Sequence, residues 1–179
     1  MYERRLPPAF QERLDNSAQV RAMEYEALLF DLYGTLIDER SQAVPGAVDL
    51  LTALAPERWA IVTSCYGSLA RELLARAALP IPGVLVTSDQ VEANKPSPEG
   101  YRLAARRLGY VPQACLVFED SAHGVAAAVA AGMDVVAVCA IRDPKLARWA
   151  TALVARLTDA RITTTPEGRY SLSVRPLTA

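Results

Sequence analysis

The chain has 179 residues, room for one domain with a sizeable core and tight for two, and 51% of them are hydrophobic. With 19 Lys+Arg against 20 Asp+Glu the formal net charge is −1, without the basic excess that a general grip on nucleic acid needs. Cys65, Cys115 and Cys139 are an odd, sparse set, which argues against a disulfide framework and for a reducing cytoplasm.

Residues 1–10 are charged and Pro-containing, with no apolar run of signal-peptide type. No stretch approaches the roughly 20 apolar residues of a bilayer span, so no membrane partner is expected. Residues 1–24 read as an N-terminal extension, an irregular lead-in followed by a helix over 11–23. Short apolar runs then alternate with helical patterns. Strands are predicted at 27–32, 59–63, 84–86, 115–118 and 135–138, mostly apolar without alternation, as in strands covered on both faces. Helices are predicted at 47–54 and 69–78 from three-to-four spacing. A third covers 98–108, with Ser97 as N-cap, Pro98 at the first helical position and Gly109 past its end. A fourth, 124–131, follows Asp120 and Ser121 and stops at Gly132. Beyond a core of residues 25–160, the tail 161–179 alternates over 161–165 and 170–174 around a Pro-Glu-Gly-Arg turn, a β-hairpin pattern. The whole reads as an α/β, Rossmann-like three-layer fold with a mainly parallel five-stranded sheet.

Open sheets of this kind bind ligands beyond the carboxyl ends of their strands. Asp31, Thr63, Lys95 and the pair Glu119-Asp120 all fall at or just after such ends, in four successive connections. Taken singly each has an ordinary reading: Thr63 ends a strand, Lys95 is a surface lysine, Asp120 or Ser121 caps the next helix. Four on one rim point to a site.

These residues also carry a resemblance. Asp31-Leu32-Tyr33-Gly34-Thr35 resembles the first motif of the haloacid dehalogenase (HAD)-like hydrolases, Asp-x-Asp-Gly-Thr, except at Tyr33. The stretch ending in Thr63-Ser64 resembles the second motif. Asn94-Lys95-Pro96-Ser97-Pro98 resembles the third, and Glu119-Asp120-Ser121-Ala122-His123-Gly124 the fourth. The four stand in the family's order, and the later stretches look most like its sugar-phosphatase and phosphoglucomutase branch. The resemblance implies a phosphatase acting on a phosphorylated metabolite, with Asp31 as the nucleophile that becomes an aspartyl-phosphate. It implies that Lys95 neutralises the phosphoryl oxygens, that Thr63, Ser64 and Tyr33 line the substrate, and that Mg²⁺ sits on Asp31, the Tyr33 backbone carbonyl and Asp120, with Glu119 in support.

Two departures qualify this. The family's second Asp donates and accepts the proton in phosphoryl transfer, and a phenol with a pKa near about 10 is poorly matched to that task. Dehalogenases of the family carry Tyr there, which points to a 2-haloacid dehalogenase-type reaction, while Glu119-Asp120 is the metal-binding form of the fourth motif. The helical cap that this branch inserts after the first motif is also missing, since Leu36-Ile37-Asp38 leads within a few residues to Val44-Pro45-Gly46. A capless site suits a small phosphorylated substrate, an open-site macromolecular one, or a homo-oligomer that covers it; the N-terminal extension and the hairpin near Gly168 are further candidate covers. Asp38 and His123 are candidate stand-ins for the lost acid. A catalytically impaired domain serving binding or regulation is the third reading.

Overall fold

The computed structural model describes residues 23–140 and 143–175. The helix expected over 11–23 lies outside them except at Met23, which opens a strand instead. In chain order the elements are β1 (Met23–Tyr25), β2 (Ala27–Phe30), α1 (Ala47–Ala53), β3 (Trp59–Val62), α2 (Gly67–Arg76), β4 (Val84–Val86), α3 (Glu99–Leu108), β5 (Cys115–Glu119), α4 (Ala122–Ala131), β6 (Asp134–Val138), α5 (Pro144–Trp149), β7 (Ala152–Val154), β8 (Ala160–Thr164) and β9 (Tyr170–Val174).

Six parallel strands form one sheet in the order β4-β3-β2-β5-β6-β7. One more strand is present than the five expected, because β7 adds a short outer member after α5. Successive residues of each strand point to opposite faces, and both faces are dry. Leu28, Phe30, Ile61, Leu116, Phe118 and Val136 pack on one side with α1 and α2. Ala27, Leu29, Ala60, Val62, Val117 and Val135 pack on the other, against α3, α4 and α5. Two-sided burial explains why these strands read as continuous apolar runs. Each fully buried Leu, Ile or Phe contributes about 1.5–3 kcal/mol.

A second, antiparallel sheet has the order β1-β9-β8. Its hairpin matches the alternation in the tail, with Gly168 at φ +78° in the turn. Tyr25, Ala160, Tyr170 and Leu172 join the same apolar cluster as Leu28 and Phe30, so this sheet covers one face of the larger one. Its turn lies where β2 and β3 begin: Arg58 donates to the Gly168 carbonyl at 2.9 Å and to Glu26 at 3.0 Å, and the Ala55 amide donates to the Tyr170 hydroxyl. The hairpin therefore sits at the amino end of these strands, opposite the rim that carries Asp31, and is no cover for it.

The caps explain the helix ends. Ser121 Oγ accepts from the Gly124 amide at 3.0 Å, and Gly132 ends α4 in the left-handed conformation. Helix α3 starts one residue later than expected, at Glu99, with Pro98 in the cap position. Helix α2 starts earlier than its apolar spacing suggested. The Asp89 carboxylate, from the connection after β4, accepts from the Gly67 amide and caps it non-locally. No helix among the described residues is long and apolar enough to cross a membrane.

Candidate active site

The pairing of Phe30 with Phe118 and the bond from the Asp31 amide to the Phe118 carbonyl (2.9 Å) bring the end of β2 level with the end of β5. Parallel register thereby sets Asp31 beside Glu119 and Asp120. Carboxylate oxygens of these three lie within 4.8 Å of one another. Lys95 arrives from the connection that precedes α3. Its ammonium donates to Asp31 Oδ1 at 2.5 Å and to Glu119 Oε1 at 2.6 Å. Asp31, Lys95, Glu119 and Asp120, dispersed in sequence, thus form one cluster.

Glu119 is completely buried, and every lone pair direction is used. Oε1 accepts from Lys95 and from the Tyr101 hydroxyl; Oε2 accepts from the Asp120 and Ser121 amides and the Ser121 hydroxyl. Such a carboxylate anchors Lys95 and the start of α4, and has little left to offer an ion directly. Gly124 makes room for it: a Cβ there would fall 1.6 Å from Glu119 Oε1. Gly34 does the same for Asp120. At φ +93° it occupies the left-handed region, and a Cβ would lie 2.1 Å from Asp120 Oδ2. Asp120 Oδ1 accepts from the buried Thr35 hydroxyl at 3.3 Å.

Charge crowding shifts these groups. Burial raises the Asp31 pKa to about 7, with Lys95 opposing and the Glu119 charge adding to the rise. Burial, then Glu119, raises Asp120 as well. Burial pulls Lys95 down, but the Asp31 and Glu119 charges outweigh it and hold the ammonium above its usual value. Tyr101 is pushed well up by burial and by Glu119, so its hydroxyl is a donor at any ordinary pH.

Thr63 and Ser64 sit at the end of β3, in a crevice shared with Thr87, Asn94, Lys95 and Tyr101. Thr63 is buried and its hydroxyl accepts from the Cys65 amide, ordering the turn after the strand. Ser64 is exposed. Tyr33 behaves differently. The residue is 46% exposed and its hydroxyl donates to the Glu39 carbonyl at 3.4 Å, so the side chain lies along its own loop. Asp38 is engaged as a turn cap, its Oδ1 accepting from the Arg40 and Gln42 amides. His123 is exposed on the first turn of α4. Tyr101 and Thr35 are the members that the sequence reading passed over. Thr35 lay inside the first motif, whereas Tyr101 carries no local signal, its partner lying on another element.

A buried nucleophile-type carboxylate beside a second carboxylate and a fixed lysine, at the carboxyl rim of a parallel sheet, defines a hydrolase class. Residues 37–132 match the haloacid dehalogenase-like hydrolase family, and the chain belongs to it. Over 128 residues it is 41% identical to hexitol phosphatase A of Escherichia coli, covering 70% of this chain and 59% of that protein. It is 32% identical over 160 residues to validoxylamine A 7'-phosphate phosphatase of Streptomyces hygroscopicus subsp. limoneus, covering 86% and 75%. The chain thus spans little more than half the length of the first of these. The crystal structure of CbbY from Rhodobacter sphaeroides in complex with phosphate shares the fold, with a TM-score of 0.62 at 22% identity over 74% of this chain and 94% of that one.

Proposed function

We propose that the chain is a Mg²⁺-dependent phosphatase that transfers the phosphoryl group of a phosphorylated metabolite to Asp31, forming an aspartyl-phosphate. The observation that carries this is the Lys95 bridge, at 2.5 and 2.6 Å, between Asp31 and the immobilised Glu119. It fixes a cation against the one carboxylate of the cluster that lines the reaction rim and is free of backbone partners.

The residues fit a hard dication: carboxylate oxygens of Asp31 and Asp120 lie close together, and the bare Gly34 leaves the space beside Asp120. Asp31, Asp120 and the Tyr33 backbone carbonyl would hold Mg²⁺, with Glu119 supporting from behind. The ion would neutralise phosphoryl charge and orient the group for in-line attack. Asp31 attacks phosphorus, Lys95 balances charge on the transferred oxygens, and Thr63 with the Ser64 backbone donates to them. Glu119 and Tyr101 keep Lys95 from swinging away.

Residues 31–46 join β2 to α1 without an intervening helix, which supports a capless site open to a small phosphorylated substrate or a larger one, or covered by a second copy. We assign no nucleic-acid or membrane partner and a cytoplasmic setting. A 2-haloacid dehalogenase-type reaction draws support from Tyr33 alone, whereas the Asp31–Asp120 cluster favours phosphoryl transfer.

The test is release of the phenol from an aryl phosphate with and without Mg²⁺, for the wild type, Asp31→Asn and Asp120→Asn. Turnover that needs Mg²⁺ and falls on the order of 10³-fold or more in Asp31→Asn is expected. Turnover that survives Asp31→Asn refutes the assignment.

A further inference from the structure

Phosphoryl transfer to a carboxylate has two halves, and they make different demands on the protein. In the first, an Asp31 oxygen bonds to phosphorus while the bond to the leaving oxygen breaks and its electron pair departs with that oxygen. An alkoxide needs a proton as it leaves; an aryl oxide or a carboxylate does not. In the second, water attacks the phosphorus, the Asp31–phosphorus bond breaks, and a base must take the water's proton.

Among the described residues, the candidate proton carriers are each held by other partners or exposed. Tyr33 lies outward with its hydroxyl on the Glu39 carbonyl. Asp38 holds two backbone amides. Glu119 has both oxygens saturated, and the Lys95 ammonium donates to two carboxylates. The Glu99 carboxylate accepts from the Glu92 and Ala93 amides at 3.0 Å each. Asp120 accepts from Thr35 and faces the cation position. His123 points to solvent.

We infer that this chain takes phosphoryl groups from donors whose leaving group departs unprotonated, acyl and aryl phosphates, and then retains them on Asp31 as a long-lived phosphoprotein. This rests on the phosphoryl-transfer reading above and narrows it. Among the described residues the attacking half has its nucleophile and lysine, and the hydrolytic half has no base in place. The site becomes a slow-release phosphoryl acceptor rather than a rapid phosphatase of sugar alcohols.

The full chain would be mixed with Mg²⁺ and 4-nitrophenyl phosphate, acetyl phosphate or glycerol 3-phosphate. Nitrophenolate release would be followed from the first turnover, and the intact protein mass read at intervals. A burst approaching one equivalent per chain is expected, followed by a slow phase. The mass of one phosphoryl group, lost on hydroxylamine treatment, should dominate with the aryl and acyl donors and be nearly absent with glycerol 3-phosphate. Tyr33→Asp, whose shorter side chain gives up the Glu39 contact and can turn toward Asp31, should abolish the burst and raise the slow phase by about 10²-fold or more, the usual worth of a positioned acid–base group. Rapid hydrolysis of glycerol 3-phosphate by the wild type, with no accumulation, overturns the inference and leaves the phosphatase reading standing. A phosphoprotein lifetime that lengthens in His123→Ala also overturns it, by identifying His123 as the base. Absence of phosphorylation and release in both wild type and Tyr33→Asp overturns the inference and the phosphatase reading together.

Discussion

The two ends of the parallel sheet each carry an ion pair, and they are built to different ends. At the carboxyl rim Lys95 and Asp31 are nearly enclosed, with side chains 9% and 11% exposed, and Glu119 and Asp120 add two more carboxyl groups against the one ammonium. At the amino rim Arg58 and Glu26 meet one to one with side chains 24% and 34% exposed, and the guanidinium also reaches the Gly168 carbonyl and lies 5.9 Å from the Tyr110 ring centre. Water screens the second pair and its charges balance, so it acts as an ordinary clasp. The first is excluded from water and carries surplus negative charge, a cost that a bound cation would offset under the function proposed above. Burial and charge count, more than the presence of a salt bridge, separate the reactive end from the structural one.

The largest break in this contrast should come from Gly124→Ala. The new Cβ has Glu119 Oε1 at 1.6 Å, and moving Glu119 unseats Lys95, Tyr101 and the start of α4 together. A loss of about 2–4 kcal/mol in urea unfolding is expected, and a loss under about 1 kcal/mol would show that Glu119 swings aside freely.

Asp31→Asn sharpens the contrast with the opposite sign. Folding raises the Asp31 pKa to about 7, so its ionised form is disfavoured in the native state. That cost is absent in acid, grows as pH climbs above about 4, and is complete above about 7. Without divalent ions the substitution should therefore stabilise the protein at pH 8, on the order of 1–3 kcal/mol, and have little effect at pH 4. Thermal unfolding in a chelator at the two pH values checks it, and destabilisation at pH 8 would contradict the charge-surplus account. The smallest effect belongs to Arg58→Ala, about 1 kcal/mol of stability with unchanged aryl-phosphate turnover, read by the same unfolding and release assays.

The parallel sheet was legible because two-sided burial leaves uninterrupted apolar runs such as Cys115–Phe118, and the ends of α4 because Ser121 and Gly132 are local signals. Strand β1 was not, since Met23–Tyr25 is too brief to show its pattern and its partner β9 lies near the other end of the described chain; β7, a three-residue edge strand, was missed although β4, equally short, was read. The rim residues Asp31, Lys95, Glu119 and Asp120 could be picked out because strand ends face one way in such a sheet. What Glu119 does could not. Its role depends on Tyr101, eighteen positions away, and on five simultaneous bonds that no spacing encodes. The direction of Tyr33 was equally hidden, because it follows from the path of its own loop to Glu39.

The pairing of β1 with β9 has a consequence for how the molecule is made. Met23–Tyr25 is translated immediately ahead of β2, but its hydrogen-bonding partner is Tyr170–Val174. Until β9 is made, that edge waits with its amides and carbonyls unmatched, and Leu28 and Phe30 lack the cover that Tyr170 and Leu172 provide. Completion of this face is deferred until nearly the last described residue has been translated. A nascent chain stalled before β8 would therefore show a sticky apolar surface to its neighbours, and would be a natural client for a chaperone.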